Sequence, residues 1–391
     1  MTFEADREAR SLADLLAARA EGCALPQGFY LNDAVFARDL ELLLGRWTCL
    51  GHQSELPDSG DWITGGFGPE SAIVVRGEDG EVRAFANVCR HRGSRICVEA
   101  RGSGVLLTCP YHAWTYRLDG RLRAAREMPD GFDPAAHGLT SLPLALIGGL
   151  IFVAFGETPP RLDRAAPALT AMTDRYGWAK AKVAARRTYR VAANWKLALE
   201  NYHECYHCGP AHPEFSVLHA LARPGERNPG AAAGDFEDWG AAPDGREVAR
   251  VMGSALAAGA LTGSRDGKLL APLMSPAADG ACVFGELGYL SAFLAYADHG
   301  VVYRFIPRDV LDTEMEVLWL VDAAAREGED YDVEALTWLW EVTSLADKRI
   351  IERNQQGVAS RFYRPGPFSL MEPGARQYVD RYVADLAASL T

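Results

Sequence analysis

The sequence predicts an α+β protein in two main parts. A compact all-β domain comes first, and an antiparallel sheet wrapped on helices follows. Three observations predict this. Residues 47–155 break into short β-like runs separated by Gly, Pro and Asp. Strand patterns return late, over 289–296, 301–306 and 314–321. One long helical pattern over 333–354 then closes the series, so strands and helices are grouped rather than alternating, the mark of α+β architecture. The chain has 391 residues, 48% of them apolar, enough for two or three domains with a sizeable core.

Residues 1–46 read as a helical segment packing on the second domain. Leu12, Leu15, Leu16 and Ala20 fall at helical spacing, 35–44 repeats the pattern, and Pro26-Gln27-Gly28 marks a break between them. Residues 47–157 form the β domain, with runs at 72–75, 82–87, 105–108, 114–118 and 150–155. Asp79-Gly80 and Asp119-Gly120 are hairpin signals. The apolar run 142–155 is interrupted by Pro143 and Gly148-Gly149, which makes it two buried strands and too short for a bilayer. Residues 156–160 read as a linker, and 158–391 as the second domain. There, 180–191 is a strand and Asn194 caps a helix that is expected to run from 195 to about 208, ended by Gly209-Pro210. The Gly-, Ala- and Pro-rich stretch 225–280 reads as loops and short helices covering a site. Asp332 caps the last long helix.

The net charge of −12 and the lack of any basic stripe argue against nucleic acid as a partner. The first residues, Met-Thr-Phe-Glu-Ala-Asp-Arg-Glu, carry no apolar run, so no signal peptide is expected. No membrane association is expected either. The eight Cys are scattered apart from two in a motif, which suits free thiols in a reducing cytoplasm.

That motif is Cys89-x-His91, seventeen residues, then Cys109-x-x-His112. Two Cys and two His in two close pairs can surround metal. A zinc site would close all four on one ion. A Rieske-type [2Fe–2S] centre would put two thiolates on one iron and two imidazoles on the other. Each arm here supplies one Cys and one His, unlike the usual Cys–Cys knuckle, and this favours the cluster. Arg90, Arg92 and Arg95 add positive charge, and Gly93 and Gly104 are expected to let backbone N–H groups approach sulfide.

A second constellation follows Asn194: Glu200-Asn201-Tyr202-His203-Glu204-Cys205-Tyr206-His207-Cys208, then Gly209-Pro210-Ala211-His212. Mononuclear iron that meets O₂ uses two His and one carboxylate, leaving open positions. His203 and His207 are i, i+4. His207 and His212 are five apart across a Gly-Pro break. Spacing alone leaves both pairs open. Cys205 and Cys208 would suit zinc but would close the site to O₂. For the carboxylate, Asp347 falls on the apolar face of the last long helix with Leu336, Trp340, Thr343 and Ile351, a costly place for an unpaired charge. Asp298, Asp309 and Asp322 are rivals at strand ends or turns.

The strings CRHRGSR and CPYHAWTY, with NWK, ENYHECYH and ERNQQGV, resemble those of Rieske non-haem iron oxygenase α subunits, over nearly the whole chain. The resemblance implies an all-β Rieske [2Fe–2S] domain and a helix-grip-like catalytic domain. It implies that Cys89, His91, Cys109 and His112 hold the cluster, and that His207, His212 and Asp347 hold mononuclear Fe(II). It implies that Glu204 bridges an iron-ligand His to a cluster-ligand His of a neighbouring subunit in a homotrimer. His203 is left either as a residue supporting the ligands or as merely structural. O₂ would be co-substrate, with electrons from NAD(P)H through a partner flavin/iron–sulfur reductase.

Glu204 stands where ring-dioxygenases typically carry Asp. With ENYHECYHC and YRPGP it resembles the branch acting on quaternary ammonium compounds such as glycine betaine, stachydrine and carnitine. Oxidation there gives N-demethylation or hydroxylation. Aromatic faces attract such cations, and Tyr202, Phe215, Trp239, Phe284, Tyr289, Phe293, Tyr296, Tyr303 and Phe305 are the supply. Arg304 and Arg250 are candidates for a substrate carboxylate. The rival functions are an aromatic-ring dioxygenase or aryl O-demethylase, and an iron–sulfur electron carrier without oxygenase activity.

Overall fold

The computed structural model describes residues 11–162, 166–219, 249–254, 256–276 and 282–388. Among these, the helices Leu12–Ala17, Gly28–Leu31 and Asp33–Leu44 come first. A five-stranded antiparallel sheet follows, in the order Arg101–Ser103, Asp61–Gly65, Ala72–Arg76, Val82–Ala86, Ser141–Leu142. A small sheet of Leu107–Thr108, Thr115–Tyr116 and Leu122–Ala124 stands beside it. Both Asp-Gly signals close hairpins, with Gly80 at φ 82° and Gly120 at φ 86°, where a side chain would be strained. Strands Leu144–Ile147 and Leu150–Ala154 pair through the Gly148-Gly149 turn, and Leu150–Ala154 also pairs with Trp47–His52. The expected strand 105–108 is displaced: Val105 is exposed and pairing begins at Leu107.

The second half carries a six-stranded antiparallel sheet ordered Ala181–Val191, Asp312–Asp322, Gly300–Asp309, Ser291–Ala295, Cys282–Leu287, Ala249–Ser254. Its central strands are buried on both faces, which is why Val317 to Val321 reads as a continuous apolar run. Val317, Trp319 and Val321 face one core, with Trp195, Leu336, Trp340 and Tyr382. Leu318 and Leu320 face the other, with Trp178, Phe152 and Phe293. A strand's two-residue period makes this division automatic. The second core ties the Leu150–Ala154 strand to the large sheet, with Phe152 and Phe293 edge-to-face at 6.0 Å.

Two helical expectations are corrected, and one helix is added. The helix after Asn194 stops at Tyr202 rather than near 208, and a new short helix starts at Cys208. Helix Ala166–Arg175 was not expected. The long helix Val333–Val358 is not the last, because Pro373–Ala388 follows it and buries Tyr378, Val379, Tyr382 and Leu386. The sheet region at 289–296 also differs: Tyr289 lies in a turn between Cys282–Leu287 and Ser291–Ala295.

The N-terminal helices are locked onto this half by a buried ion pair. Asp39 and Lys196 both have fully buried side chains, and Trp195 Nε1 and the Tyr382 hydroxyl donate to the Asp39 carboxylate at 3.1 and 2.6 Å. The start of helix Trp195–Tyr202 is therefore fixed from three sides, and that helix leads directly into the second constellation.

Candidate metal centres and active site

The first constellation sits on two tight turns. Gly93 N–H donates to Cys89 O at 3.0 Å, and Ala113 N–H donates to Cys109 O at 3.0 Å. Each turn ends on a left-handed residue, Gly93 at φ 77° and Ala113 at φ 57°, the latter costing about 1 kcal/mol for an L-residue. Both thiols are buried, and the Tyr116 hydroxyl lies 3.2 Å from Cys89 Sγ. Both imidazoles are exposed, with rings 4.7 Å apart and His91 stacked on Trp114 at 4.9 Å. Thiols pair inward and imidazoles pair outward. Among the described residues these four do not draw together as three or more ligand atoms around one ion. A two-iron cluster asks for that division, and a tetrahedral zinc site does not. The expected glycine donors are otherwise engaged: Gly93 N–H as above, and Gly104 N–H by Gly60 O at 3.1 Å.

The second constellation is built by the break in the helix. The Glu204 carboxylate accepts the backbone N–H groups of Tyr206 and His207, replacing the helical bonds those groups would make. Its other oxygen meets His207 Nδ1 at 2.5 Å. The turn throws His207 toward His212, with ring centroids 5.1 Å apart, and both toward Asp347 of the long helix. His212 Nε2 lies 2.8 Å and His207 Nε2 3.2 Å from the same Asp347 oxygen. Among the described residues this is the one group of three metal-ligating side chains with ligand atoms all within 4.8 Å.

Burial opposes charging His207, but Asp347 and Glu204 outweigh it and push the imidazole up to about 10. Burial likewise works against the Asp347 carboxylate, and the two imidazoles still hold it below its usual range. The site therefore asks for positive charge between its ligands. Two imidazoles and one carboxylate fit divalent iron with open positions.

His203 takes no part in this group. Its Nδ1 donates to Leu199 O at 2.6 Å, and its ring stacks on Tyr378 at 4.7 Å. Asp298 is engaged by Thr262 at 2.6 Å and His299 at 2.8 Å, which removes it as a rival ligand.

Beside the three residues lies a cavity of about 50 Å³. Its wall contains Tyr202, Phe215, Phe284, Tyr303 and Trp340, and no Lys or Arg among the described residues. The first four were among the aromatic candidates. Trp340 was read as core, yet it stands seven residues before Asp347 on the same helix face, a spacing that could have found it. The Tyr202 hydroxyl and Trp340 Nε1 are buried with no hydrogen-bond partner among the described residues. Asn201, unassigned from sequence, brings Nδ2 within 3.4 Å of His207. Tyr289 turns instead to Asp385, Phe293 to Trp178, and Trp239 lies outside the described residues. Arg304 is spent on Glu316 at 2.5 Å, so it is no substrate ligand, and the Arg250 side chain lies outside the described set.

The family profile for the ring hydroxylating alpha subunit (catalytic domain) matches residues 178–388, and that for the Rieske [2Fe-2S] domain matches 46–143. The chain belongs to the Rieske non-haem iron oxygenases. This Rieske oxygenase is similar to the glycine betaine monooxygenase oxygenase subunit of Pseudomonas aeruginosa, 36% identical over 399 residues and covering 95% of this chain and 91% of that one. The corresponding Chromohalobacter salexigens subunit is 35% identical over 393 residues, covering 95% and 87%. The crystal structure of the quaternary ammonium Rieske monooxygenase CntA, in complex with substrate L-carnitine, shares the fold with a TM-score of 0.72 at 24% identity, covering 97% of this chain and 99% of that chain. The oxygenase thus combines a Rieske [2Fe–2S] domain with a non-haem iron catalytic domain.

Proposed function

We propose that this oxygenase uses O₂, with electrons from an NAD(P)H-dependent flavin/iron–sulfur reductase, to oxidise a small quaternary ammonium compound of the betaine type. The cavity wall carries the reading. Five aromatic residues, and no lining Lys or Arg among the described residues, favour a cation and disfavour a free anion. The glycine betaine relatives are consistent with this choice.

In this reading His207, His212 and Asp347 hold the mononuclear iron, which supplies O₂ activation when bound. Cys89, His91, Cys109 and His112 hold the cluster, within a domain at 47–157. Residues 158–391 form the catalytic domain, with 1–46 packed on it. The aromatic wall orients an N-methyl group and keeps bulk water away. Oxidation of that methyl C–H gives a hemiaminal, which collapses to the tertiary amine and formaldehyde. Two surfaces support exchange between subunits. The His91 and His112 rings are exposed on one, and Cys205 and Tyr206 beside Glu204 are exposed on the other. A head-to-tail homotrimer would join them and place Glu204 between a neighbour's cluster and His207.

Metal analysis of His207→Ala tests the ligand assignment. We expect the iron-to-sulfide ratio to fall from about 3:2 to about 1:1, with the Rieske visible spectrum kept and turnover lost. Loss of the visible spectrum would refute the place of His207 in the second site.

A further inference from the structure

Two cavities meet at His207. The larger, about 350 Å³, lies on the other side of the aromatic one, and the residues that line both are Asn201, Glu204 and His207. Its rim reaches the surface at Asn354, Gly366 and Pro367, which are exposed. Three carboxylates line it: Glu200, Glu204 and Glu372. Each hydroxylation consumes one O₂, two electrons and two protons, and releases one water beside the hydroxylated substrate. The larger cavity reaches the same shared wall and is lined with proton-carrying groups.

We propose that Glu200 is the proton-holding residue of this oxygenase, keeping one proton in the larger cavity that Glu204 also lines and yielding it toward the shared wall as O₂ is reduced. The proposal rests on the oxygenase reading above. The proton ends on the water formed, and Glu200 regains one from solvent through the rim. Glu200 acts through Glu204 and is not itself placed against substrate.

The other two carboxylates are less free to take this part. Glu204 is engaged by His207 Nδ1 and two backbone N–H groups, and Glu372 accepts Ser369 N–H at 2.6 Å. Glu200 is met by a hydroxyl, that of Tyr30, at 2.8 and 3.1 Å from its two oxygens. A hydroxyl can donate to a carboxylate or accept from a carboxylic acid, so the contact survives either state.

Groups on every surrounding element bear on Glu200: Tyr30 on helix Gly28–Leu31, Lys196 on its own helix, Tyr363 and Glu372 in the segment after the long helix, and Tyr378 on Pro373–Ala388. The long helix contributes Ile350, Ile351 and Asn354 to the wall, none of them titratable. Glu200 keeps some accessible surface, which lies on the cavity wall. Burial still pushes its carboxyl up to about 7, against the Tyr30 hydrogen bond and the Lys196 charge, with Glu372 adding to the rise.

The test compares wild type with Glu200→Gln as metal-loaded, full-length protein. Difference infrared spectra should show a protonated carboxyl band in wild type near pH 6 that fades toward pH 8 and is missing from the variant. The single-turnover rate of wild type should fall about tenfold between about pH 6 and pH 8, as one group near 7 deprotonates, and the variant should be slow and flat. An unchanged slope in the variant, or no lost band, would overturn the proposal. Where Glu200→Gln does not fold, Tyr30→Phe decides. Removing the hydroxyl should move the band's midpoint upward, and an unmoved midpoint would overturn the role. The band is read without substrate, so a failed substrate assignment leaves it intact, whereas its absence counts against Glu200 alone.

Discussion

Trp340→Leu separates a cation cage from an ordinary aromatic core. Trp340 is 4% exposed, with its ring edge-to-face against Phe215 at 5.5 Å and Tyr303 at 5.8 Å, and it lines the cavity beside Asp347. Removing this ring has two effects that can be measured apart. The lost packing costs about 2–3 kcal/mol of stability, which thermal denaturation reads. The lost attraction for a desolvated trimethylammonium costs about 2 kcal/mol of binding, or about 30-fold in KM. The control is the carbon isostere of the substrate, with the same shape and no positive charge. It feels the altered packing but not the loss of the ring's quadrupole. We expect the variant to reduce the preference for the cation over its isostere by about 30-fold, and Trp340→Phe to reduce it by much less. If both ligands weaken equally, Trp340 is a packing residue and the cage argument fails.

Further perturbations test the link and the frame. Glu204→Gln keeps one acceptor and turns the other oxygen into a donor, so either His207 or the two backbone N–H groups lose their partner. Losing a charged hydrogen bond of about 2–3 kcal/mol should slow single-turnover cluster reoxidation by roughly 30- to 150-fold with both metals retained. Unchanged kinetics would remove Glu204 from the path. Asp39→Leu leaves Lys196 buried and unpaired, which should cost about 3–5 kcal/mol in urea denaturation. Adding Lys196→Met should recover most of that loss, and failure to recover would mean that Asp39 holds the helix through Tyr382 and Trp195 instead.

Residues that act with near neighbours in sequence were legible. Cys89 with His91 and Cys109 with His112 stand out by spacing, and the stretch at 203–212 by its density of His, though spacing there left the pair open. Asp347 was legible from one helix face, because a carboxylate in an apolar stripe needs a reason. The end of the helix at Tyr202 was not, since the Glu204 side chain takes over two backbone N–H groups, and composition does not reveal which side chain will do so. Trp340 was visible on the correct face, and its seven-residue spacing from Asp347 was the signal, but the same stripe packs the core and walls the cavity. Arg304 was named with Arg250 as a candidate for a substrate carboxylate. Only pairing across the sheet shows that Glu316 and Arg186 enclose it. The helix Pro373–Ala388 carries its own stripe of Tyr378, Tyr382 and Leu386, and so was legible in principle.

The most direct measurement is O₂-dependent formaldehyde release by iron-loaded protein with a matched reductase, over glycine betaine, carnitine, stachydrine and methoxybenzoates. We expect formaldehyde in step with loss of a quaternary ammonium substrate, and none from the methoxyarenes. Formaldehyde from methoxyarenes alone, or substrate-dependent O₂ uptake only with neutral aromatic rings, would contradict the reading of a cation site.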